Sequence, residues 1–341
     1  MVTMPVNKLH IIVLLCLLCV SCVEPYEPVL EETQEVLVIS GMITDSPGRH
    51  EVRVSLSSPY SFPEFQGVEQ CLVNVTDQDG NMVHYTDQGE GIYAADVPDS
   101  FLDVGDAASL YVFTPDGREY RSSFDTLLSC PELDSVYWEL ETQGTADPEK
   151  SLPGIQFYLD MTGSPDDSRN IIWRVDETWE FWASLFGNYI MREMYYMESF
   201  LSRDIFKCWD SQALDHIYTA STRNLSSNAL RRMPLHFVSN QTERLQITYS
   251  LYVRQQSLSL EAYDYWQRMN KQAAESGGLY EEQPASVPGN IHAVDQSDGE
   301  VLGFFYASQV KEKRIYVHNN NLFAFWIPKV DCEYQPLSTL W

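Results

Sequence analysis

Arg244-Leu245-Gln246-Ile247-Thr248-Tyr249-Ser250-Leu251-Tyr252-Val253-Arg254 alternates without a break. Leu245, Ile247, Tyr249, Leu251 and Val253 form one set; Gln246, Thr248, Ser250 and Tyr252 form the other. A period of two belongs to a strand, because successive side chains leave opposite faces of the pleated backbone. One face of this strand meets a core and the other meets water. Ile171 to Ala183 repeats the pattern, with Ile171, Trp173, Val175, Glu177, Trp179, Phe181 and Ala183 on one face and mostly polar residues on the other. Ile155 to Asp160, Val301 to Ser308 and Arg314 to His318 read as further strands.

One segment changes period. Ala262, Tyr263, Trp266, Met269 and Ala273 recur at helical spacing, with Ser259 as N-cap and Gly277-Gly278 as the stop. This predicts a helix near 260–275, and Trp266 and Met269 on its stripe read as packing residues.

Toward the N-terminus the signals are short strands and tight turns. Val36-Leu37-Val38-Ile39 is a buried run, and Glu51-Val52-Arg53-Val54-Ser55-Leu56 alternates strictly. Asp77-Gln78-Asp79-Gly80-Asn81 and Pro115-Asp116-Gly117-Arg118 are hairpin turns. Asp77, Asp79 and Asn81 lack the closing Glu and the flanking helices of a calcium loop, so a plain turn is expected there. The fold class expected is mainly β: an N-terminal immunoglobulin-like β-sandwich at 36–130, then a larger β-rich domain at 131–341 with one prominent helix.

Residues 1–21 have the layout of a secretory signal peptide. Lys8 and His10 lead into the apolar run Ile11–Leu18, followed by Val20-Ser21-Cys22. Cleavage before Cys22 would leave that cysteine to carry lipid, with 22–35 as a lipidated tether. An ordinary signal peptide or an uncleaved anchor is the alternative. Several acyl chains hold a protein on a bilayer without a spanning helix.

The formal net charge is −27. A chain so acidic repels polyanions at long range and lacks the basic stripes that phosphate binding needs, so nucleic acid is excluded as a partner. With 44% hydrophobic and 13% aromatic residues it can still build packed cores. Cys71, Cys130, Cys208 and Cys332 remain once the leader and Cys22 are set aside. Four cysteines outside the cytoplasm suggest disulfides, and placement within domains favours Cys71–Cys130 and Cys208–Cys332. These four are isolated, with no CxxC spacing among them, so neither a metal nor another cofactor is expected.

Several stretches carry a resemblance when taken together. They are Cys22-Val23-Glu24-Pro25-Tyr26, Val38 to Asp45, Asp134 to Glu139, Trp173 to Glu180, Thr242-Glu243-Arg244 and Gly277 to Ser286. In order and spacing they resemble the Bacteroidota outer-membrane lipoprotein family known as domain of unknown function 4249. The resemblance implies a lipoprotein of the outer membrane, associated with a TonB-dependent receptor. It supplies no catalytic residues. The lipobox departs from the family pattern, with Cys19 at its first position, and only nine residues follow Cys332. Acidic residues after the lipid cysteine favour surface display in that phylum, and here Glu24 and Glu27 are interrupted by Pro25, which leaves the membrane face open. Asp125-Thr126-Leu127 and Asp134-Ser135-Val136 resemble that phylum's O-glycosylation signal, with Thr126 and Ser135 as acceptors.

Chemistry is sparse. His-Glu-x-x-His, Gly-x-Ser-x-Gly and phosphate-binding glycine loops do not occur. Ser308-Gln309-Val310-Lys311 matches Ser-x-x-Lys but falls on strand-like sequence. Glu177 sits on the apolar face of its strand. Buried alone, it would have a raised pKa suited to an acid catalyst; paired with Arg174, Arg244 or Arg254, it would be structural. Trp182, Tyr189, Tyr195 and Tyr196, with Trp173, Trp179 and Trp209, form either a β core or an exposed platform for a glycan, peptide or receptor. The function expected is binding: an accessory subunit of a TonB-dependent uptake system, not an enzyme. A glycan or peptide hydrolase and an envelope-assembly lipoprotein are the other classes.

Overall fold

The computed structural model describes residues 35–58, 65–147, 149–182, 189–192, 196–199, 207–275, 286–295 and 299–322, excepting the side chains of 189–192, 196–199 and 274–275. The first strands are β1 (Leu37–Thr44), β2 (Gly48–Leu56), β3 (Gln66–Gly67), β4 (Leu72–Asp77), β5 (Met82–Asp87), β6 (Ile92–Val97), β7 (Ala107–Phe113), β8 (Glu119–Ser122) and β9 (Asp125–Thr126). Next come β10 (Glu132–Gly144), β11 (Ser151–Thr162), β12 (Asn170–Trp182), β13 (Tyr189–Arg192), β14 (Tyr196–Ser199), β15 (Lys207–Ala213), β16 (Tyr218–Ser221), β17 (Ala229–Ser239) and β18 (Thr248–Ser257). The helix α1 (Leu260–Glu275) precedes β19 (Ile291–Ala293), β20 (Val301–Leu302), β21 (Phe305–Ser308) and β22 (Val310–His318).

The molecule is mainly β, as expected. Twelve strands make one continuous sheet, ordered β19-β8-β7-β4-β5-β6-β2-β1-β20, with β21 also on β1, β3 on β2 and β9 on β7. Its two ends, β19 and β20, lie side by side, so the sheet nearly closes around a core that includes Ile39, Val54, Val75, Tyr93, Leu110 and Tyr120. The turn at Asp77–Asn81 is a plain one. Asp77 Oδ1 accepts the Asp79 and Asn81 amides at 2.9 and 2.8 Å, and Gly80 takes φ +88°. These hydrogen bonds outweigh the cost of burial and hold the Asp77 carboxyl below its usual range.

The sheet switch falls near Cys130, where a boundary was expected, but the halves are not consecutive in sequence. Residues 291–308, expected within the second domain, return to the first sheet. β20 and β21 pair parallel to β1, with Leu37 opposite Val301 and Gly41 opposite Phe305, and β19 pairs with β8. Ile291, Val301 and Phe305 are buried in the first core. Gly303, between β20 and β21, has φ +106° and meets the Ile39 carbonyl with no room for a Cβ, so glycine is required there. The described residues from Val36 onward belong to one compact unit.

Two further antiparallel sheets enclose the second core, β10-β11-β17 and β15-β12-β18-β22 with β16 also on β12, and β13 and β14 pair with each other apart from them. The two enclosing sheets pack face to face. Phe157 of β11 stacks on Tyr249 of β18 with ring centroids 5.5 Å apart, and Trp173 and Leu251 share their core. The alternation read from residues 171–183 and 245–253 is the alternation between this core and the opposite, outer face. Helix α1, capped by Ser259 Oγ on the Ala262 amide at 3.2 Å, covers one end of that outer face. Ala262 and Tyr265 pack there with Ile172, Phe304 and Tyr306.

Candidate functional site

Inside the second core, Glu177 of β12 has a fully buried carboxylate. Tyr249, its neighbour on β18, donates its hydroxyl to Glu177 Oε2 at 2.7 Å. His236 Nε2, from the opposing sheet, lies 3.3 Å from Oε2, and Arg244 Nη2 lies 3.2 Å from Oε1. Both are ion-pair distances without hydrogen-bond alignment, and Glu177 Oε1, His236 Nε2 and Trp179 Nε1 are buried with no hydrogen-bond partner. Arg244 also stacks 5.0 Å over the Trp179 ring. Burial pushes the Glu177 carboxyl up, but the hydrogen bond from Tyr249 and the close approach of His236 and Arg244 outweigh that and hold it below its ordinary value. Of the two alternatives read from sequence, a solitary carboxylate with a raised pKa or one paired with an arginine, the geometry matches the pair, with Arg244. Held as an anion, Glu177 accepts hydrogen bonds and is poorly suited to donate a proton at neutral pH. Burial pushes the Tyr218 hydroxyl beside it up to about 12.

The outer face of the same sheet has a different chemistry. Register places Asp176, Thr178, Glu180 and Trp182 of β12 opposite Ala213, Ser211, Trp209 and Lys207 of β15. On the other side Tyr252, Ser250 and Thr248 of β18 face Arg314, Tyr316 and His318 of β22. The two central strands carry a hydroxyl floor of Thr178, Ser250 and Thr248, continued by Ser211. Thr178 and Ser211 share a hydrogen bond of 2.9 Å, and Arg314 donates to Ser250 Oγ at 2.8 Å. Rings flank the floor: Trp209 is 72% exposed, Tyr316 56%, and Trp182 is half-buried. Lys207 pairs with Glu180 at 3.2 Å and Arg254 with Asp176 at 2.7 Å, while Arg254 and Arg314 stack on Tyr252 at 5.8 and 4.5 Å.

The aromatic group read from sequence thus divides. Trp173 and Trp179 are core, Trp209 is open, and Trp182 stands between. Tyr189 and Tyr196 fall on a two-stranded pairing whose side chains are not described, and Tyr195 lies outside the described residues. His236, Tyr316 and Arg314 were not singled out by sequence. Tyr316 and Arg314 were within reach of it, since both sit in phase on the strand read at 314–318. Nothing in the local pattern around His236 points toward Glu177, because only sheet packing joins them.

The cysteine pairing needs correction. Cys71 and Cys130 are buried thiols not joined to each other. Cys71 adjoins the end of β4 that pairs with Phe113, whereas Cys130 follows β9, which pairs with Ala107 at the other end of β7. The seven residues of β7 separate these ends by about 20 Å, beyond the ~7 Å Cα separation a disulfide spans. Cys130 instead touches Gln255, and burial pushes its thiol up to about 12. Cys208 sits on β15 opposite Phe181, while Cys332 and Cys22 lie outside the described residues.

Thr126 and Ser135 lie on strands β9 and β10, not on an exposed linker, and both are half-buried. Asp125 is buried and accepts the Ala307 amide at 2.9 Å, and Leu127 is buried in the core. Lys311 of the Ser-x-x-Lys match pairs with Glu132 at 2.7 Å, while the Ser308 hydroxyl donates to the Gln309 carbonyl at 3.1 Å. Among the described residues no group of His, Cys, Asp and Glu is arranged to hold a metal ion. No helix among them is long and apolar enough to cross a membrane.

Comparison with curated proteins finds no match. Among solved structures, trypsin-activated alpha-2-macroglobulin from Escherichia coli is similar over 67% of this chain and 15% of its own, at 11% identity and a TM-score of 0.22. This chain spans about one seventh of that protein, and so low a score supports no argument about fold or function. The model of a domain of unknown function, DUF4249, matches residues 23–314. That match takes in most of the chain, ending within β22 at Arg314 and short of Tyr316, and the protein belongs to this family.

Proposed function

We propose that this protein is a Bacteroidota outer-membrane lipoprotein that works by binding, as an accessory subunit of a TonB-dependent uptake system that contacts the receptor or captures its cargo. The observation that carries this reading is the outer face of β15-β12-β18-β22. It presents Trp209 and Tyr316 to solvent beside a hydroxyl floor, and large exposed rings are the usual energetic anchors of binding surfaces. The signal-like leader and Cys22 support the membrane address. We also read the first β region as an immunoglobulin-like sandwich rolled onto itself, and its antiparallel hairpins around a single core support that reading. A hydrolase reading would ask Glu177 to donate a proton, and the lowered pKa of that carboxyl works against it.

Affinity purification of the tagged protein from native outer membranes tests the proposal. A TonB-dependent receptor recovered in stoichiometric amount is the expected result, lost on Cys22→Ala together with membrane fractionation. Recovery of an envelope-assembly machine instead, or unchanged membrane fractionation of Cys22→Ala, would overturn it.

A further inference from the structure

We infer that the outer face of the five-stranded sheet is a saccharide site, and that the sugar chain it takes carries an isolated carboxylate that meets Arg314. The inference rests on the reading of this protein as a cargo binder. From β15 to β22 the face spans three strand spacings, about 14 Å, and from the Tyr252 row to the Trp182 row about 20 Å. Its floor is hydroxyl: Thr178, Ser211 and Thr248, with Ser250 buried and holding Arg314. Its walls are the rings of Trp182 and Trp209 on one side, and Tyr316 with Arg314 on the other.

The floor decides against a peptide. β12 and β18 are interior strands, so their backbone groups are engaged in ladders on both edges. A peptide recognised by strand addition needs an open edge, and a chain lying across this face meets only side chains. Hydroxyls that both donate and accept, set between ring faces, match sugars, which present hydroxyls of the same dual character and apolar C–H faces.

Charge selects the kind of sugar. Lys207 and Arg254 on this face are neutralised by Glu180 and Asp176. Arg314 differs. One of its nitrogens donates to Ser250 Oγ and its plane stacks on Tyr252, so it is held in place; the nearby carboxylate of Glu312 is engaged with the Tyr252 hydroxyl, and among the described residues no ion pair joins Arg314 to a carboxylate. A fixed guanidinium with free donors recognises a carboxylate by charge-assisted hydrogen bonds. The net charge of −27 disfavours a polyanion at long range, which leaves a largely neutral chain with a single acidic sugar.

The test uses the full-length protein in detergent, titrated calorimetrically against a panel of neutral oligosaccharides, their uronate-bearing counterparts and an acidic heptapeptide. Uronate-bearing chains are expected to bind about tenfold or more tighter than their neutral backbones, the size of a lost charge-assisted hydrogen bond. Arg314→Gln should bring the two to the same level. Trp209→Ala and Tyr316→Ala should weaken both, with thermal melts unchanged because these rings are exposed. Binding of the heptapeptide instead, no binding across the saccharide panel, or saccharide binding indifferent to all three substitutions would overturn the inference. A receptor that co-purifies while the panel stays silent sinks this inference and spares the uptake reading. Saccharide binding without any receptor does the reverse.

Discussion

Two buried carboxylates, Glu177 and Asp125, show how little burial alone decides. Desolvation is the largest influence on each. Around Glu177 the Tyr249 hydroxyl, His236 and Arg244 outweigh it, so the folded pKa lies below the ordinary 4.5. Around Asp125 the hydrogen bonds from Ser259 and the Ala307 amide do not, so the folded pKa lies above 3.8. The signs of linkage are therefore opposite. Glu177 contributes stability that is fully present above its ordinary pKa and is lost as pH falls through the lowered one. Asp125 contributes stability at low pH that is lost as pH rises through its raised one. Glu177→Gln should cost about 1–3 kcal/mol at neutral pH by leaving Arg244 and His236 without their anion. That deficit should shrink in urea melts taken below pH 4. Asp125→Asn keeps an acceptor for the Ala307 amide, and melts at pH 7 should show no loss or a gain. Equal losses for the two variants would refute this assignment. Sequence placed Glu177 on the apolar face and named Arg244 among its three arginine partners. The direction of its pKa depends on His236 from another sheet, which no local pattern carries.

At the scale of the element, β12 holds the clearest contrast. Trp173 points inward, fully buried, and its indole donates to Gln255 Oε1 at 2.9 Å. Trp209, on the neighbouring β15, points out. Trp173→Ala should cost about 3–5 kcal/mol in urea unfolding, since it opens a cavity and strands a buried amide. Trp209→Ala should change stability by less than about 0.5 kcal/mol. Comparable losses would mean that Trp209 packs against something in solution. The period-two pattern made both faces of β12 and β18 legible; the period of 3.6 placed α1, but the stripe read from it missed buried Tyr265 and took in exposed Ala273. Cysteine pairing was not legible, because counting thiols within a presumed domain says nothing about which end of a strand each one occupies. Iodoacetamide labelling without reductant should modify Cys71 and Cys130 only after unfolding; a Cys71–Cys130 bridge would block both even then.

For the molecule as a whole, the return of 291–308 to the first sheet matters most. Val301 to Ser308 was readable as strand, but its partner was not. β20 and β21 are two and four residues long, and parallel pairing to β1 joins positions more than 260 residues apart. Contacts so distant in sequence leave no mark on local composition. Their consequence is thermodynamic. A fragment ending at residue 130 lacks β19, β20 and β21, which leaves β1 and β8 with open edges and removes Ile291, Val301 and Phe305 from the core. Three such side chains are worth about 1.5–3 kcal/mol each in burial, of the order of a domain's whole margin. The 36–130 fragment alone should therefore show no cooperative melt and should aggregate through its unpaired edges. Adding a peptide of residues 286–310 in trans should restore protection of the β1 amides to hydrogen exchange. A fragment that melts cooperatively by itself would show that the first β region is a self-sufficient domain and that the returning strands are dispensable to it.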